Sequence, residues 1–267
     1  EEIKLDLFRR GDDPYCAFAS DVFGRPITKA NDPRERQEVG KVGELAFGFG
    51  GGVGAWRNFD DSDKFDDDEV NTFKNVWRRK HPHIARPPWD QAVKDGEAGV
   101  GLWYGLQDAA HEAVLRPGRQ VEAFGVKYQV RGRWLVCTLP SSRNIVYYDP
   151  RLQEKINPHT DKTEVVLTYM SQKNGHWARI DTWGGKLAQG VTQATCRDIL
   201  VHGQRRCDGE MPVLMTVYDE IVTEVGEELG VDLPVARLLE YMTADLPAWC
   251  ARWPVKAEGW CGKRYRK

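Results

Sequence analysis

A helix that contains several glycines presents the first set of side chains suited to chemistry. Asp32-Pro33-Arg34-Glu35 is a helix start signal, with an acidic N-cap, proline at the first position and glutamate at the third. Gly50-Gly51-Gly52 is expected to end this helix. Lys41, Leu45 and Phe49 are spaced four apart and share one helix face. A cation, an apolar residue and an aromatic ring on one face suit a nucleoside triphosphate, because its phosphates favour the positive amino-terminal half of a helix.

The glycines of this helix suggest that something approaches its backbone closely. Gly40, Gly43 and Gly48 each cost roughly 1 kcal/mol of helix stability relative to alanine. The approaching group is either a nucleotide or a neighbouring helix. In the second case the helix is a small-residue packing element and Lys41 lies in solvent.

Two familiar nucleotide-binding motifs do not fit this region. Gly40-Lys41 is not a P-loop, because Glu35 and Val42 stand where that motif needs glycine and serine or threonine. The stretch from Gly50 to Ala55 fits the loose pattern G-x-G-x-x-A, but it follows a helix, whereas the dinucleotide motif follows a strand.

An acidic hairpin is the second candidate. Tyr218-Asp219-Glu220 lies between two apolar strands, Val213–Val217 and Ile221–Val225. We expect these carboxylates near a buried edge, where an ionised acid is costly without a partner. Mg²⁺ is such a partner, since it takes one or two carboxylates together with substrate phosphates. The alternative is an acidic turn that faces water.

A polar helix face is the third candidate. Gln189, Gln193 and Arg197 share one face of the helix that follows Gly184-Gly185-Lys186. Amides donate to and accept from base edges, and arginine holds phosphates. Without further context, the same pattern describes an ordinary solvated helix face.

Cysteine and histidine spacing indicates neither disulfides nor zinc. The six cysteines are far apart and include no C-x-x-C pair, which is typical of reduced thiols in a cytosolic protein. His81-Pro82-His83 is the nearest approach to a metal pair, but Pro82 favours a turn that ends a helix.

Charge and hydropathy limit the possible partners. The 267 residues include 38 Lys+Arg and 40 Asp+Glu, so a net charge of -2 excludes a uniformly basic polyanion binder. An acidic run, Asp60 to Glu69, offsets local basic clusters at Arg34 to Lys41, Trp77 to Lys80 and Lys263 to Lys267. No run reaches 18 apolar residues, so we expect no membrane partner. Glu1-Glu2-Ile3-Lys4 has neither a methionine nor an apolar signal, which suggests an excised piece or an incomplete gene.

The elements that position these residues are predicted from periodicity. Residues 1–115 are expected to be mostly helical, with apolar residues at 3.6 spacing over Tyr15–Val22, Val39–Phe49, Val70–Trp77 and Gly101–Val114. Alternating segments then predict a small antiparallel sheet, with strands at Phe124–Val130, Trp134–Leu139, Asn144–Tyr148, Glu164–Tyr169 and His176–Trp183. The sheet is followed by a helix from about Lys186 to Gly203 and then by the acidic hairpin. A helix over Leu233–Met242 and a short strand pair at the carboxyl end complete the chain. The predicted class is α+β.

Three separated motifs, in order, resemble family A DNA polymerases. The stretch from Asp13 to Gly24, followed by Glu35-Arg36 and by Lys41, Leu45 and Phe49-Gly50, resembles their fingers. Gly40 to Ala55 is similar to the phage-encoded branch, which carries G-K-V-x-E-L-A-x-G-[YF]-G-G-G-V-G-A. Arg179 to Ala194 resembles the same branch, and Val217 to Ile221 resembles the family's last catalytic motif, usually His-Asp-Glu. The resemblance extends from Leu7 to Lys267.

The resemblance implies a role for each matching residue. Lys41 would contact the incoming dNTP, Phe49 would stack beside the nascent base pair, and Leu45 would help to judge the sugar. Gln193 would reach the minor groove of the primer–template DNA, with Gln189, Arg197 and Tyr218 also on the DNA side. Asp219 would bind the two catalytic Mg²⁺ ions with the help of Glu220, for attack of a primer 3′-hydroxyl on the α-phosphate. Residues 1–180 would be the fingers region, helical over 1–115 with a sheet over 121–183, and residues 181–267 the later half of the palm.

The sequence also departs from the family pattern. The arginine usually found four residues before the lysine is Gln37 here, so Arg34 or Arg36 would substitute for it at the γ-phosphate. Tyr15 stands where several relatives have histidine and is assigned to the nucleotide side. An insertion of roughly Arg86 to Gly101 interrupts the helical region.

The first catalytic aspartate of the family lies in a D-Y-S-x-x-E-x-R type motif that this sequence lacks. The thumb and the exonuclease-like domain are also missing. The 267 residues are therefore expected to be chemically incomplete and inactive alone, and to need an upstream segment or a second chain. The expected setting is the cytoplasm of a phage-infected or lysogenic bacterial cell.

Three functions remain open at this point. The first is a fragment of a DNA polymerase, and the second is a non-catalytic nucleotide or nucleic-acid binding module, or half of a split enzyme. The third is a related single-subunit RNA polymerase or other palm enzyme. The DNA upstream of the codon for Glu1 discriminates the first from the second, and the choice between dNTP and rNTP decides the third.

Overall fold

A computed structural model describes residues 1–157 and 161–265 of the chain. These residues divide into two units, Glu1–Val191 and Thr192–Lys267. The predicted α+β class is confirmed, since the chain combines helices with two antiparallel sheets. No helix among the described residues has the length and apolarity that crossing a membrane requires.

The helices of the first unit surround an aromatic core. Phe18, Phe47, Trp56 and Trp77 are buried, and the Phe47 and Trp56 rings stack at 5.6 Å between centroids. The four predicted helical segments are confirmed within a few residues, because each repeats apolar residues at helical spacing. The helices are α1 Glu2–Arg10, α2 Pro14–Phe23, α3 Pro33–Glu35, α4 Val42–Phe47, α5 Val53–Arg57, α6 Asp67–Lys80, α7 Pro82–Ala85, α8 Gln91–Lys94 and α9 Leu102–Leu115.

The helix that carries Lys41 contains an irregularity that periodicity does not predict. A π-helical segment, Arg36–Lys41, joins α3 to α4, so the helical path is continuous from Pro33 to Phe47. Such π segments are rare and frequently occur at functional sites. The helix begins at Pro33 with Asp32 at its N-cap position, as predicted, but the Asp32 carboxylate does not bond to the first N–H groups of the helix. That carboxylate accepts instead from Arg25, at 2.7 Å, and from the backbone N–H of Thr28, at 3.1 Å.

The insertion between residues 86 and 101 is a closed loop on the helical region. Its two ends meet, because the Gly101 N–H donates to the Arg86 carbonyl at 2.8 Å. The preceding turn is as predicted: α6 ends at Lys80 and Pro82 opens α7. The His81 ring is buried there and bonds to the Trp77 carbonyl, and burial lowers its pKa to about 4.

The sheet of the first unit is a six-stranded meander that is larger than predicted. Its strands lie in chain order, β1 Val121–Ala123, β2 Val126–Arg131, β3 Trp134–Thr138, β4 Asn144–Ile156, β5 Thr163–Lys173 and β6 His176–Thr182. Tyr128, Leu135, Tyr147 and Leu167 are buried on one face, and α9 packs against this part of the sheet. The strands β4 and β5 extend well beyond the predicted segments, as a long antiparallel pair whose far half is mostly exposed.

The second unit begins within a long helix. Helix α10, Gly184–Cys207, is followed by β7 Val213–Val217, β8 Glu220–Thr223, a short 3₁₀ turn Glu227–Leu229 and α11 Asp232–Thr243. Arg206 donates to carbonyls at the end of α11, including that of Tyr241 at 3.0 Å, and so binds the carbonyls that a helix end leaves open.

The predicted strand pair at the carboxyl end is wrong. Residues 244–265 contain no strand. Successive short-range backbone bonds, such as those from the Cys250 N–H to the Pro247 carbonyl and from the Trp253 N–H to the Cys250 carbonyl, wind this segment into turns.

Candidate functional site

Lys41 and Leu45 of the predicted nucleotide face lie on the helix that runs from Pro33 to Phe47, whereas Phe49 lies in the turn that follows it. Val42 and Phe47 point into the core, whereas Leu45 is 41% exposed and Lys41 and Phe49 are half-buried. Within residues 1–157 and 161–265, no hydrogen bond or ion pair engages the Lys41 ammonium. The helix therefore presents a cation that no described residue engages, beside an exposed apolar side chain, and the aromatic ring of Phe49 follows in the next turn.

A neighbouring helix, and not a ligand, accounts for two of the three glycines. A Cβ on Gly40 would overlap the backbone carbonyl of Tyr15, and one on Gly43 would overlap the Phe18 ring. Both obstacles belong to α2. The interpretation that these glycines admit a nucleotide is therefore wrong, and the packing alternative holds for them.

Replacing Gly40 by alanine is expected to destabilise the fold by about 1–3 kcal/mol, because the obstacle is rigid backbone. Gly54→Ala is the matched control: Gly54 lies in α5, and a Cβ there meets nothing within 4 Å. This control is expected to be neutral or up to about 1 kcal/mol stabilising. Urea unfolding of both variants measures the difference. A Gly40→Ala protein as stable as the parent would contradict the packing explanation.

The two arginines proposed for the γ-phosphate differ in how strongly neighbouring side chains bind them. Arg36 donates to Asp13 at 2.6 Å and lies 5.0 Å from the centre of the Tyr15 ring. Partial burial opposes ionisation of Asp13, but bonds from Arg36 and from backbone N–H groups hold its pKa below the usual value. Arg34 is 77% exposed and lies 3.9 Å from Glu38, which Lys64 already binds at 2.7 Å. Arg34 is therefore the arginine more available to a ligand, while Arg36 and Tyr15 hold α2 to the helix.

The first turn of α10 packs closely against Phe49. A Cβ on Gly185 would overlap the Phe49 carbonyl, and one on Gly184 would overlap the Trp103 carbonyl. The Gly184 N–H also donates to the Gln107 side chain at 2.9 Å. The glycine pair is therefore required for this close approach, which brings Phe49 and the first turn of α10 together.

A cleft of about 100 Å³ opens at this junction. Gly50, Arg78, Trp103, Tyr104, Gln107, Trp183, Gly184 and Gly185 line it. The Arg78 guanidinium lies 5.7 Å from the Trp103 ring and near the Gly50 and Gly51 carbonyls, at 3.5 and 3.4 Å. Burial lowers the pKa of Arg78.

The cleft has donors without acceptors. Arg78 Nε and Trp103 Nε1 are buried and find no hydrogen-bond partner in the described part of the chain. A buried donor left without a partner is costly, so an acceptor-rich group such as a phosphate or a base carbonyl would satisfy this lining. Sequence reasoning did not identify Arg78 or Trp103 as site residues. The Gly184-Gly185 pair was the one feature of the sequence that could have indicated a close approach of chain segments here.

The acidic hairpin has the predicted strands but not the predicted burial. Val217 pairs with Glu220 across a two-residue turn, and Tyr218 at its tip has φ +53, a value that is uncommon for residues other than glycine. Asp219 is exposed, and Glu220 is half-buried and accepts from the Tyr265 hydroxyl at 2.7 Å. The expectation of a buried edge is therefore wrong, since the turn faces water.

The metal-binding capacity of the described residues is limited. They contain no group of three or more His, Cys, Asp and Glu side chains that could hold a metal ion. Asp219 and Glu220 are adjacent, and one or two carboxylates with waters or phosphates are what Mg²⁺ commonly takes. The donor set therefore fits one edge of a magnesium site and does not by itself hold two ions.

The polar face of α10 is exposed as predicted. Gln189, Gln193 and Arg197 all lie open to solvent, and Arg197 donates to the Thr216 hydroxyl at 3.4 Å. Gln189 belongs to the first unit with the nucleotide face. Gln193 and Arg197 belong to the second unit with the acidic hairpin.

Comparison with known proteins yields one informative relative. The chain is 28% identical over 273 residues to a DNA polymerase of Bacillus phage SP02. This similarity covers the whole of the chain but 38% of the relative's length. No family model matches the chain, and no solved structure matches it. The chain is thus related to a phage DNA polymerase and spans well under half of it.

Proposed function

We propose that this chain is the fingers and later palm portion of a family A DNA polymerase that adds dNTPs to a primer 3′-hydroxyl. The similarity of the entire chain to a phage DNA polymerase is the observation that carries the proposal. We propose phage DNA replication in an infected or lysogenic bacterial cell as its setting.

The exposed helix face supports the assignment of the nucleotide side. Lys41 offers an ammonium that no described residue neutralises, Leu45 lies one turn further along the helix, and Phe49 lies in the turn after the helix ends. Arg34 adds a second exposed cation about two turns towards the amino end. In phosphoryl transfer, catalysis depends mainly on positioned charges that stabilise the phosphate oxygens in the transition state. Lys41 is the residue to which we assign this task.

The acidic hairpin supplies the proposed ligands for Mg²⁺. Asp219 would bind the metal directly. Glu220 would assist after giving up its hydrogen bond from the Tyr265 hydroxyl in favour of the metal. When bound, two such ions stabilise the attacking and leaving oxygens of an in-line displacement. Because the described residues supply carboxylates for one edge of such a site, we propose that a further aspartate comes from an upstream segment or a second chain.

The residues that we assign to the DNA side lie on α10 and at the tip of the hairpin. The exposed amides of Gln189 and Gln193, which bond to no described residue, suit minor-groove acceptors, and Arg197 carries a charge for a backbone phosphate. Tyr218 projects at the hairpin tip with 86% of its surface exposed.

Gln193→Ala and Arg197→Ala are expected to weaken primer–template binding about tenfold while changing the apparent affinity for dNTP little, because their contacts set the register of the duplex end. Arg205→Ala, an exposed arginine on the same helix, is the matched control. Primer–template titrations and dNTP-dependent extension rates, measured in an enzyme completed with the missing segment, separate the two affinities. A tenfold change in dNTP affinity with unchanged DNA binding would show that these roles are wrong.

A further inference from the structure

The face of the six-stranded sheet opposite its buried side carries a row of aromatic side chains. Trp134 pairs with Tyr148, Tyr148 pairs with Met170, and Met170 pairs with Arg179, so these residues lie side by side on one face. Trp177 precedes Arg179 by two residues on β6 and shares its face.

The three rings of this row lie close together, with the two tryptophans exposed and Tyr148 half-buried between them. The ring centroids of Trp134 and Tyr148 are 4.7 Å apart, and those of Tyr148 and Trp177 are 6.0 Å apart. Trp134 is 43% exposed and Trp177 is 62% exposed. Contiguous exposed aromatic surface of this kind marks a binding site more often than a chance arrangement.

Arginines surround the row and give it a positive charge. Arg133 lies 4.7 Å from the centre of the Tyr148 ring. Arg133, Arg151 and Arg179 all pair with a single carboxylate, Asp149, the first two at 3.8 and 2.9 Å. Three cations on one anion leave a surplus of two positive charges. Arg131, the strand partner of Trp134, is a further exposed cation beside the row.

We propose that this aromatic–arginine face (Arg131, Arg133, Trp134, Tyr148, Arg151 and Trp177) binds single-stranded nucleic acid. Unpaired bases would stack on the three rings, and the backbone phosphates would lie against the arginines. A single strand fits better than a duplex, because paired bases do not offer their faces for stacking. All six residues lie outside the motifs that resemble a polymerase, so the site goes beyond the proposed catalytic function.

Charge also argues against a second copy of this chain as the occupant. In a two-fold interface the same patch meets itself, so the surplus arginines of one copy would face those of the other. The phosphates of a nucleic acid instead complement this surplus, in a chain whose overall net charge is -2.

The test measures binding of a labelled oligo(dT) to the full chain. Fluorescence anisotropy monitors the binding, in the absence of dNTP and Mg²⁺. Trp177→Ala is expected to weaken binding about tenfold, and Trp177→Phe to retain most of the affinity, because the ring stacks with a base. The double variant Arg133→Ala, Arg151→Ala is expected to lower the salt dependence of binding, because fewer phosphates are neutralised. Trp89→Ala, at 64% exposure, and Arg116→Ala, equal to Arg151 in exposure at 59%, are matched controls that should bind as the parent does.

Three results would overturn the proposal. The first is parental oligo(dT) affinity in both Trp177→Ala and Trp134→Ala. The second is a duplex that binds as tightly as the single strand and responds equally to loss of the rings. The third is a parental dimer, seen by light scattering, that Trp177→Ala converts to monomers, since the face would then be a self-interface. None of these results bears on the residues proposed for nucleotide addition, so the two proposals fail separately.

Discussion

Lys41→Ala is expected to reduce the rate of nucleotide incorporation on the order of 100-fold, the usual effect of removing one group that stabilises transition-state charge. The ammonium has no protein partner among the described residues, so its removal leaves no buried carboxylate behind and the fold should persist. Primer–template affinity should stay nearly unchanged, because the charge is assigned to the triphosphate. Single-turnover extension and a DNA-binding titration, both in an enzyme completed with the missing segment, measure the two effects.

Lys64→Ala is the control for this variant. Lys64 is also a surface lysine near the same helix, but it is held by Glu38 at 2.7 Å. Its loss should leave incorporation within about twofold of the parent, since surface ion pairs contribute little. Equal effects of Lys41→Ala and Lys64→Ala, or a larger loss in DNA binding than in turnover, would remove Lys41 from the nucleotide site.

Asp219→Asn is expected to lower extension by the completed enzyme on the order of 1000-fold or more, because metal ions at the reacting oxygens supply several kcal/mol. An amide is a weaker metal ligand than a carboxylate and carries no charge. The same substitution should change the free energy of unfolding by about 0.5 kcal/mol or less, since Asp219 is exposed at the tip of a turn. Extension rates and urea unfolding distinguish a lost metal ligand from a lost fold.

Glu224→Gln is the matched control for the hairpin. Glu224 is exposed and directly follows β8, so the change removes a similar charge from the same region. Extension should be retained in this variant. Full activity of Asp219→Asn, or an equal loss in Glu224→Gln, would leave the metal assignment without support.

Periodicity predicted the elements whose two sides differ clearly in polarity. Helix α9 and strand β2 were predicted within a residue or two, because each has one buried and one more open side. The carboxyl-terminal half of β4 was not predicted, since it is mostly exposed and carries no clear alternation. The π segment at Arg36–Lys41 was not predicted either, because widening a helix by one residue leaves its composition unchanged.

The candidate site also has parts that the sequence predicts and parts that it does not. That Lys41 and Leu45 lie on one helix was predictable from apolar periodicity, but the end of the helix at Phe47, which leaves Phe49 in a turn, was not. The cleft was not, since Arg78, Trp103 and Gly184 come from three distant segments that only the fold brings together. The burial of the acidic hairpin was predicted wrongly for the same reason: two apolar strands define a turn, but they do not determine what covers it.

Mg²⁺-dependent primer extension decides whether this chain holds part of a polymerase active site that another segment must complete. The 267 residues are assayed alone, and then together with a polypeptide that supplies the missing aspartate motif. We expect no extension by the chain alone, because its described residues offer carboxylates for one edge of a metal site. We expect extension with dNTPs in the combined protein, and loss of that extension with Asp219→Asn. Robust extension by the 267 residues alone, or extension by the combined protein that persists after Asp219→Asn, would show that Asp219 is not part of an incomplete metal site.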